Sequence, residues 1–259
     1  MNKNPKLTKV AFPAKPLKSP FKFPDNNYFL NTGFYFAFKR IFNWKALRGQ
    51  ERLNKIFINE RVVEIPFAIK HLSVLPVAVS ILDIGCVESP MPLMGAGLGF
   101  RVTGYDFREY PYVHPNLTFK QGDICTMPFP DETFDAMVCL STIEHLGIGF
   151  YKDPKMIEGA DIRGVKEALR VLKYGGRLIL SAPVGKKQMT KYQRVYDIAS
   201  FNKLFQGNSI LEQKFFVNSR PYEDSPNWWG EVNAGDVESI DDTSGATVAV
   251  GMAVALKKR

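Results

Sequence analysis

Short apolar runs alternate with amphipathic stretches through most of the chain, and this alternation predicts a sheet flanked by helices. Five buried strands are predicted first, at 81–84, 101–105, 117–119, 134–140 and 177–181. Helical periodicity separates several of them, most clearly over 162–172, and the runs 210–217 and 247–256 predict two closing strands. Buried strands that alternate with helices are typical of doubly wound, mostly parallel α/β sheets. We therefore expect an α/β fold with a mostly parallel, seven-stranded sheet.

The N-terminal part has a different pattern. Residues 1–27 contain five prolines and almost no periodic apolar positions, which predicts a basic, disordered arm. Residues 28–75 begin with a stretch dense in aromatic side chains, and we expect them to form an N-terminal helical cap on the main domain, 76–259. An aromatic surface beside a basic arm also suits a lipid interface, and this is the alternative interpretation.

The positive charge of the chain is concentrated at its start. The net charge is +8, and the first 22 residues hold six lysines and no acidic residue, so the remainder carries only +2. This distribution argues against a nucleic-acid partner for the main domain. It leaves the arm as a solvated leader or, alternatively, as a weak contact with an anionic membrane surface.

The composition favours a soluble, cytoplasmic protein. No run approaches the roughly 20 consecutive apolar residues that a membrane helix needs, and the Lys- and Pro-rich start lacks the apolar core of a secretory signal. The cysteines, Cys86, Cys125 and Cys139, share no metal-ligand spacing, so we expect reduced thiols and no metal.

The loop after the first predicted strand carries the first candidate chemistry. Asp83 ends the strand, Gly85 allows close backbone approach, and Ser89-Pro90 is typical of a helix start. The segment resembles the first motif of class I methyltransferases, an acid and a hydrophobic residue followed by Gly-x-Gly-x-Gly. Val87 and Ser89 stand in place of the second and third glycines. Because a pyrophosphate needs those glycines, their absence argues against a nicotinamide dinucleotide site.

Acidic residues follow the next two strands as well. Asp106 lies 21 positions after Gly85, where an acid accepts hydrogen bonds from ribose hydroxyls. Asp123-Ile124 and the segment 127–135 also resemble class I methyltransferases, in which this acid receives the adenine amine. The resemblance covers about residues 80–185 and implies S-adenosyl-L-methionine as cofactor. The residues it implies as cofactor contacts are Asp83, Gly85, Cys86, Asp106, Asp123, Ile124 and Ser141.

The loop after the fourth strand is the candidate reacting face. Glu144-His145 resembles an acid–histidine pair that the family carries beside the transferred methyl group. Histidine titrates near neutral pH, so His145 is the candidate base, with Glu144 orienting it. A helix-capping Glu144 and a packing His145 are an equal alternative.

Acceptor contacts are expected from the C-terminal third of the chain. Arg194 and Tyr196 follow the fifth strand, and Trp228 lies between the closing strands. They could bind an anionic group, a hydroxyl and a sugar or planar ring, respectively. For any one of them, a structural role such as an ion pair of Arg194 with Asp197 is the stronger alternative.

Together these features predict an S-adenosylmethionine-dependent methyltransferase that acts on a small-molecule or glycan-like acceptor, by O-methylation. Three alternatives stay open at this point: a nicotinamide-dependent oxidoreductase, a non-catalytic module that only binds the cofactor, and an RNA methyltransferase. The acids Asp83, Asp106 and Asp123 argue against the second, and the near-neutral main domain argues against the third.

Overall fold

A computed structural model of the chain describes residues 59–149, 157–218, 229–241 and 247–259. Within these ranges, the α-helices are α1 (Arg61–Leu72), α2 (Met91–Gly97), α3 (Ala160–Val171), α4 (Ile198–Lys203) and α5 (Ala234–Val237). The strands are β1 (Ser80–Ile84), β2 (Arg101–Asp106), β3 (Leu117–Gln121), β4 (Phe134–Cys139), β5 (Leu172–Pro183), β6 (Gln188–Met189), β7 (Arg194–Val195), β8 (Ser209–Asn218), β9 (Trp229–Val232) and β10 (Ala249–Leu256).

Eight of these strands form one sheet in the order β3-β2-β1-β4-β5-β10-β8-β9. The first five are parallel, and β10, β8 and β9 join them in antiparallel pairs. The strand order reverses between β1 and β4. In sheets of this kind, the crevice at the reversal lies at the carboxyl ends of the strands and is where ligands bind.

The predicted mostly parallel, doubly wound sheet is thereby confirmed, with one strand more than expected. The additional strand, β9, has only four residues and pairs with β8 at the edge of the sheet. A strand of that length carries too few alternating positions to give a recognisable sequence pattern.

Alternate residues of the central strands face two separate parts of the core. On β1, Ile81 packs into one apolar cluster and Leu82 into the other, and Val138 and Met137 divide in the same way on β4. Both faces of the sheet are therefore buried, which is why these strands read as continuous apolar runs.

Helix α1 packs against one face of the sheet through Phe67, Ala68 and Leu72. It is the part of the predicted N-terminal cap that the structure describes. The predicted arm at 1–27, and the cap as far as residue 58, lie outside the described residues.

Candidate cofactor site

A cavity of about 390 Å³ crosses the carboxyl ends of β3, β2, β1 and β4, at the crevice where the strand order reverses. This volume lies within the range of small-molecule and cofactor pockets. Six of the predicted site residues line it: Gly85, Asp106, Asp123, Ile124, Ser141 and His145. The sequence motifs on four different strands therefore meet at one place.

Gly85 has a left-handed backbone with φ of +71°. A Cβ atom built on it would lie 2.3 Å from both Oγ1 and Cγ2 of Thr142. The close approach expected at Gly85 is thus made in part by the loop after β4, whose Thr142 hydroxyl donates to the Leu140 carbonyl oxygen at 2.9 Å. Glycine is needed here for its φ angle and for the space that Thr142 takes.

The two residues that replace the motif glycines both have identifiable contacts. Residues 86–88 form a single turn of 3₁₀-helix, and the Val87 amide donates to Oδ2 of Asp106 at 3.1 Å. The Ser89 hydroxyl oxygen accepts from the Met91 amide at 3.2 Å. Helix α2 begins at Met91 with Pro90 as its N-cap residue, one residue later than Ser89-Pro90 predicts. The loop therefore closes onto the acid of the neighbouring strand without further glycines.

Asp106 ends β2 with only 2% of its surface exposed. Its Oδ1 accepts from the amide and from Nε of Arg108, at 2.9 and 3.2 Å. Its Oδ2 accepts from Val87 and, at 3.3 Å, from Nη2 of Arg108. The Nη1 atom of Arg108 reaches Oε1 of Glu88 at 2.5 Å. Arg108 thus links two acids at the cavity wall, and its side chain is 28% exposed.

The β3 end of the cavity is formed by Gly122, Asp123 and Ile124. A Cβ atom on Gly122 would lie 2.1 Å from the Tyr105 hydroxyl oxygen, so only glycine fits there. The Tyr105 hydroxyl donates to the Asp123 carbonyl oxygen at 3.2 Å. Asp123 is exposed, and its Oδ1 accepts from the Cys125 amide at 2.8 Å. The side chain of Ile124 is buried and apolar.

Asp83 and Cys86 lie beneath the cavity and do not line it. Asp83 is 4% exposed, and its Oδ2 has no hydrogen-bond partner within the described ranges. Burial raises the pKa of Asp83 to about 8; the Arg61 charge opposes this shift and the Asp106 charge adds to it. Burial also raises the pKa of the Cys86 thiol. Neither Asp83 nor Cys86 is among the residues that line the cavity, and their roles as cofactor contacts stay predictions.

At the β4 end of the cavity, Ser141 is one of the non-glycine residues with a positive φ, +40°. Its hydroxyl donates to Oε1 of Glu64 at 2.6 Å, and its amide donates to the Ser181 hydroxyl oxygen at 2.9 Å. Arg61, from the first turn of α1, lines the same end of the cavity and donates to Oε2 of Glu64 at 2.7 Å. The N-terminal helix therefore contributes to the cavity wall.

His145 lines the cavity, whereas Glu144 is 1% exposed and lies behind it. The Nδ1 atom of His145 is 2.7 Å from the Tyr192 carbonyl oxygen. A carbonyl can only accept, so Nδ1 carries the proton and Nε2 is the ring atom able to take one. Burial lowers the pKa of His145 and outweighs the opposing effect of that hydrogen bond.

Glu144 is the buried neighbour of this imidazole. Its Oε1 lies 3.7 Å from Nε2 of His145, and its Oε2 has no hydrogen-bond partner among the described residues. Burial raises the pKa of Glu144 well above its ordinary value. The pair therefore combines a neutral histidine with a carboxyl group that favours its protonated form.

Comparison with protein families gives one match over the region that builds this cavity. Residues 82–180 match the family model described as "Methyltransferase domain". We refer to this matched segment as the methyltransferase domain. It contains every strand end that contributes to the cavity, and it leaves α1 and the C-terminal strands outside.

Curated relatives match part of this chain over part of their own length. A Mycolicibacterium smegmatis protein named as a probable S-adenosylmethionine-dependent methyltransferase is 29% identical over 108 residues, which are 40% of this chain and 37% of the relative. The chain thus spans well under half of that relative.

Solved structures share the fold at low identity. A SAM-dependent methyltransferase from Methanosarcina mazei is 18% identical, with a TM-score of 0.50 over 73% of this chain and 97% of its own. The 1,6-didemethyltoxoflavin-N1-methyltransferase of Burkholderia thailandensis is 13% identical, with a TM-score of 0.52 over 91% and 94%. These likenesses confirm the class I, Rossmann-like fold of the methyltransferase domain.

Two of the residues predicted to bind the acceptor, Arg194 and Tyr196, do not line this cavity. Arg194 is 9% exposed, and its Nη1 donates to the carbonyl oxygens of Leu146, at 2.5 Å, and Glu144, at 3.4 Å. Tyr196 is 4% exposed, and its hydroxyl donates to Oδ2 of Asp161 at 2.9 Å. Neither lines the cavity of the methyltransferase domain, and Trp228 lies outside the described residues. Their roles in acceptor binding stay predictions.

Asp197 was the alternative partner of Arg194, and the structure gives it a different contact. Its Oδ1 accepts from the Ser200 amide at 2.7 Å and so caps α4.

Sequence reasoning missed Arg61, Arg108 and Thr142, which line the cavity. It also missed Glu64, which does not line the cavity but accepts hydrogen bonds from the lining residues Arg61 and Ser141. Arg61 and Glu64 precede the matched motifs, and as an Arg–Glu pair three positions apart they have the pattern of an exposed helix ion pair. Arg108 could have been found, because a cation two positions after an acid at a strand end is well placed to fold back onto it.

Two further features concern the surroundings of the methyltransferase domain. In the part of the chain that the structure describes, no cluster of three or more His, Cys, Asp or Glu side chains is arranged to hold a metal ion. None of the helices described here has the length and apolar character needed to cross a membrane.

Proposed function

We propose that this protein binds S-adenosyl-L-methionine in the cavity and transfers its methyl group to a small-molecule acceptor. The observation that carries the proposal is the position of Asp106. This buried carboxylate ends β2 and faces a cavity at the reversal of strand order, inside a segment that matches the methyltransferase domain. The relative and both neighbours reported above are named as methyltransferases, which supports the same reaction.

The cavity residues fit this cofactor in order across the sheet. Ile124 gives an apolar surface for adenine, and Asp123 beside it offers a carboxylate to the adenine amine. Asp106 would hold the ribose hydroxyls, as acids at this position do in related sheets. Among the described residues, the donors to the Asp106 oxygens are Arg108 and Val87, so a ribose would take the place of a contact that Arg108 makes. The partly exposed guanidinium can give one up by moving into solvent.

The other half of the cofactor then extends toward β4 and α1. The methionine portion would lie along Gly85, Ser141 and Arg61, which line that end. Asp83, below them, adds a buried acid near a cofactor that is positively charged at sulfur. Bound S-adenosylmethionine supplies an electrophilic methyl group.

His145 is the residue of this chain that can assist the acceptor. In its neutral form, with the proton on Nδ1, it presents Nε2 as the atom that accepts a proton from an acceptor hydroxyl. The Tyr192 carbonyl fixes the tautomer, and the Glu144 carboxyl lies 3.7 Å from the Nε2 atom that would take the proton. A base of this kind suits a hydroxyl acceptor, so we propose O-methylation of a small or glycan-like molecule. The Burkholderia neighbour is named for methylation at a ring nitrogen, and an N–H acceptor is the alternative.

Isothermal titration calorimetry with S-adenosylhomocysteine tests the cofactor assignment. We expect micromolar binding by the wild-type chain and loss of detectable binding in Asp106→Ala. Asp131→Ala is the matched control, because it removes an exposed carboxylate that pairs with Arg170 away from the cavity. A wild-type protein that gives no heat with S-adenosylhomocysteine would refute the proposal. Binding of a nicotinamide dinucleotide in its place would indicate the oxidoreductase alternative.

A further inference from the structure

Glu64 is a fully buried carboxylate on a helix that precedes the matched domain. Oε1 accepts from the hydroxyls of Ser181 and Ser141, at 2.5 and 2.6 Å, and Oε2 accepts from Arg61 at 2.7 Å. A buried charge is tolerated when it is paired and hydrogen-bonded in this way. Because three donors occupy its oxygens, Glu64 is not placed to bind a ligand itself.

Two of these three donors belong to the cavity wall. Arg61 and Ser141 both line the cavity, and Ser141 holds the positive φ that turns the chain after β4. The third donor, Ser181, lies on β5 and also accepts the Ser141 amide. The Glu64 carboxylate thus joins α1 to strand β5 and to the loop after β4 at the methionine end of the cavity.

The charge balance at this end favours an anionic ligand group on Arg61. The cavity is lined by two arginines, and Arg108 is committed to Asp106 and Glu88 at the adenosine end. Arg61 lies at the opposite end with 16% of its side chain exposed. S-adenosylmethionine carries one carboxylate, and it is at the end of the molecule farthest from adenine. A guanidinium held in place is well suited to bind that carboxylate.

We infer that Arg61 recognises the carboxylate of the bound cofactor and that Glu64 is the positioning residue that holds Arg61 and Ser141 for this contact. This inference rests on the proposed function, because it concerns the same cavity. It gives α1, outside the methyltransferase domain, a defined part in cofactor recognition. It also predicts that the contribution of Glu64 depends on the amino-acid portion of the ligand.

The test compares two ligands that differ in that portion. S-adenosylhomocysteine has the carboxylate, and 5′-methylthioadenosine has the same adenosine and sulfur without it. Calorimetry on the full chain measures both affinities for the wild type, Arg61→Gln, Glu64→Gln and the double variant. Asp135→Asn is the control, because it also removes a carboxylate charge that pairs with a cation, Lys173, but at the start of β4.

We expect Arg61→Gln and Glu64→Gln each to weaken S-adenosylhomocysteine binding by about tenfold or more, which is the size of a charge-assisted contact of 1.4 kcal/mol or more. Binding of 5′-methylthioadenosine should change by less than about twofold. The double variant should resemble Arg61→Gln alone, because Glu64 acts through Arg61. Asp135→Asn should bind both ligands as the wild type does.

The outcomes separate this inference from the proposed function. Equal losses for both ligands in Glu64→Gln would make Glu64 a purely structural anchor and overturn the inference, while wild-type binding would still support the function. Failure of the wild type to bind either ligand would refute the function itself. If Glu64→Gln does not fold, Glu64→Asp keeps the charge on a shorter side chain. We then expect Glu64→Asp to lose affinity for S-adenosylhomocysteine only. An equal loss of affinity for both ligands would overturn the inference.

Discussion

Replacing Asp83 with asparagine should change the stability of the ligand-free protein by an amount that depends on pH and favours the variant increasingly as pH rises. Asp83 is buried, and its Oδ2 has no partner among the described residues. Burial raises its pKa to about 8, with the Asp106 charge adding to the shift and Arg61 opposing it. Asparagine has nearly the same shape and cannot ionise. The variant therefore removes the ionisable group at position 83 and keeps the packing of the side chain.

The sign of the effect follows from which state holds the proton. Between the ordinary aspartate pKa of about 4 and the folded value of about 8, folded Asp83 is protonated and unfolded Asp83 is ionised. The folded state then binds more protons, so the free energy of unfolding decreases as pH rises, by about 1.4 kcal/mol per pH unit. From pH 5 to pH 7 the wild type should lose roughly 3 kcal/mol through this group. Asp83→Asn should lose none through it.

The measurement is urea denaturation of both proteins at pH 5, 6 and 7 without cofactor. The asparagine amide adds a buried polar group that costs about 1–3 kcal/mol, but this cost is the same at each pH and cancels from the trend. The stability difference should shift in favour of Asp83→Asn by about 3 kcal/mol over this range, or roughly 6–12 °C in melting temperature for a domain of this size. A stability difference that stays constant from pH 5 to pH 7 would refute the protonated state of Asp83. The exposed Asp131→Asn controls for the same substitution at a site outside the core.

Three further predictions concern neighbouring groups. Gly85→Ala should destabilise the protein by about 2 kcal/mol or more in urea denaturation, because Gly85 has a positive φ and an added Cβ would overlap Thr142. Adding Thr142→Ala should recover only part of the lost stability, because the φ strain remains. A wild-type urea midpoint for Gly85→Ala would contradict the geometry. The His145 ring, assigned in NMR spectra with the His145→Gln variant, should titrate below pH 6.5 because burial lowers its pKa; a midpoint above 7 would remove it as a neutral base. Tyr196→Phe should lose about 1–2 kcal/mol of stability through the lost bond to Asp161; unchanged stability would show that this hydrogen bond contributes nothing.

The sequence predicted those parts of the fold in which a local residue pattern is compatible with a single structure. Apolar runs buried on both faces predicted β1, β2, β4 and β5, because a central parallel strand must be apolar on each side. An acid placed directly after a strand predicted Asp106 and Asp123 at the cavity, because parallel strands present their carboxyl ends at one edge. The four-residue strand β9 was missed because pairing with β8, and no pattern of its own, defines it.

The α1 contribution could not be predicted for a different reason. Arg61 and Glu64 are three positions apart on a helix, and exposed helices carry such pairs very often. Only the packing of α1 onto the sheet, through Phe67 and Leu72, turns the pair inward. On an exposed helix, this ion pair would contribute little to stability. Buried against the sheet, the same pair holds the Arg61 guanidinium in the cavity wall.

The acids near the strand ends show a limit of sequence spacing. Spacing predicts where a carboxyl group lies, but it does not predict whether that group is protonated. Asp83 and Asp106 lie near the carboxyl ends of adjacent strands and are almost equally buried, at 4% and 2% exposure. Asp106 accepts from Val87 and Arg108 on both oxygens. Asp83 has no partner at Oδ2 among the described residues, and burial favours its protonated form. Those donors come from loops whose positions depend on the folded sheet. An acid near the end of one strand can thus be placed to hold a ligand, whereas the acid on the next strand is buried in a protonated form that costs stability as pH rises. The Asp83→Asn measurement tests whether Asp83 is in this second state.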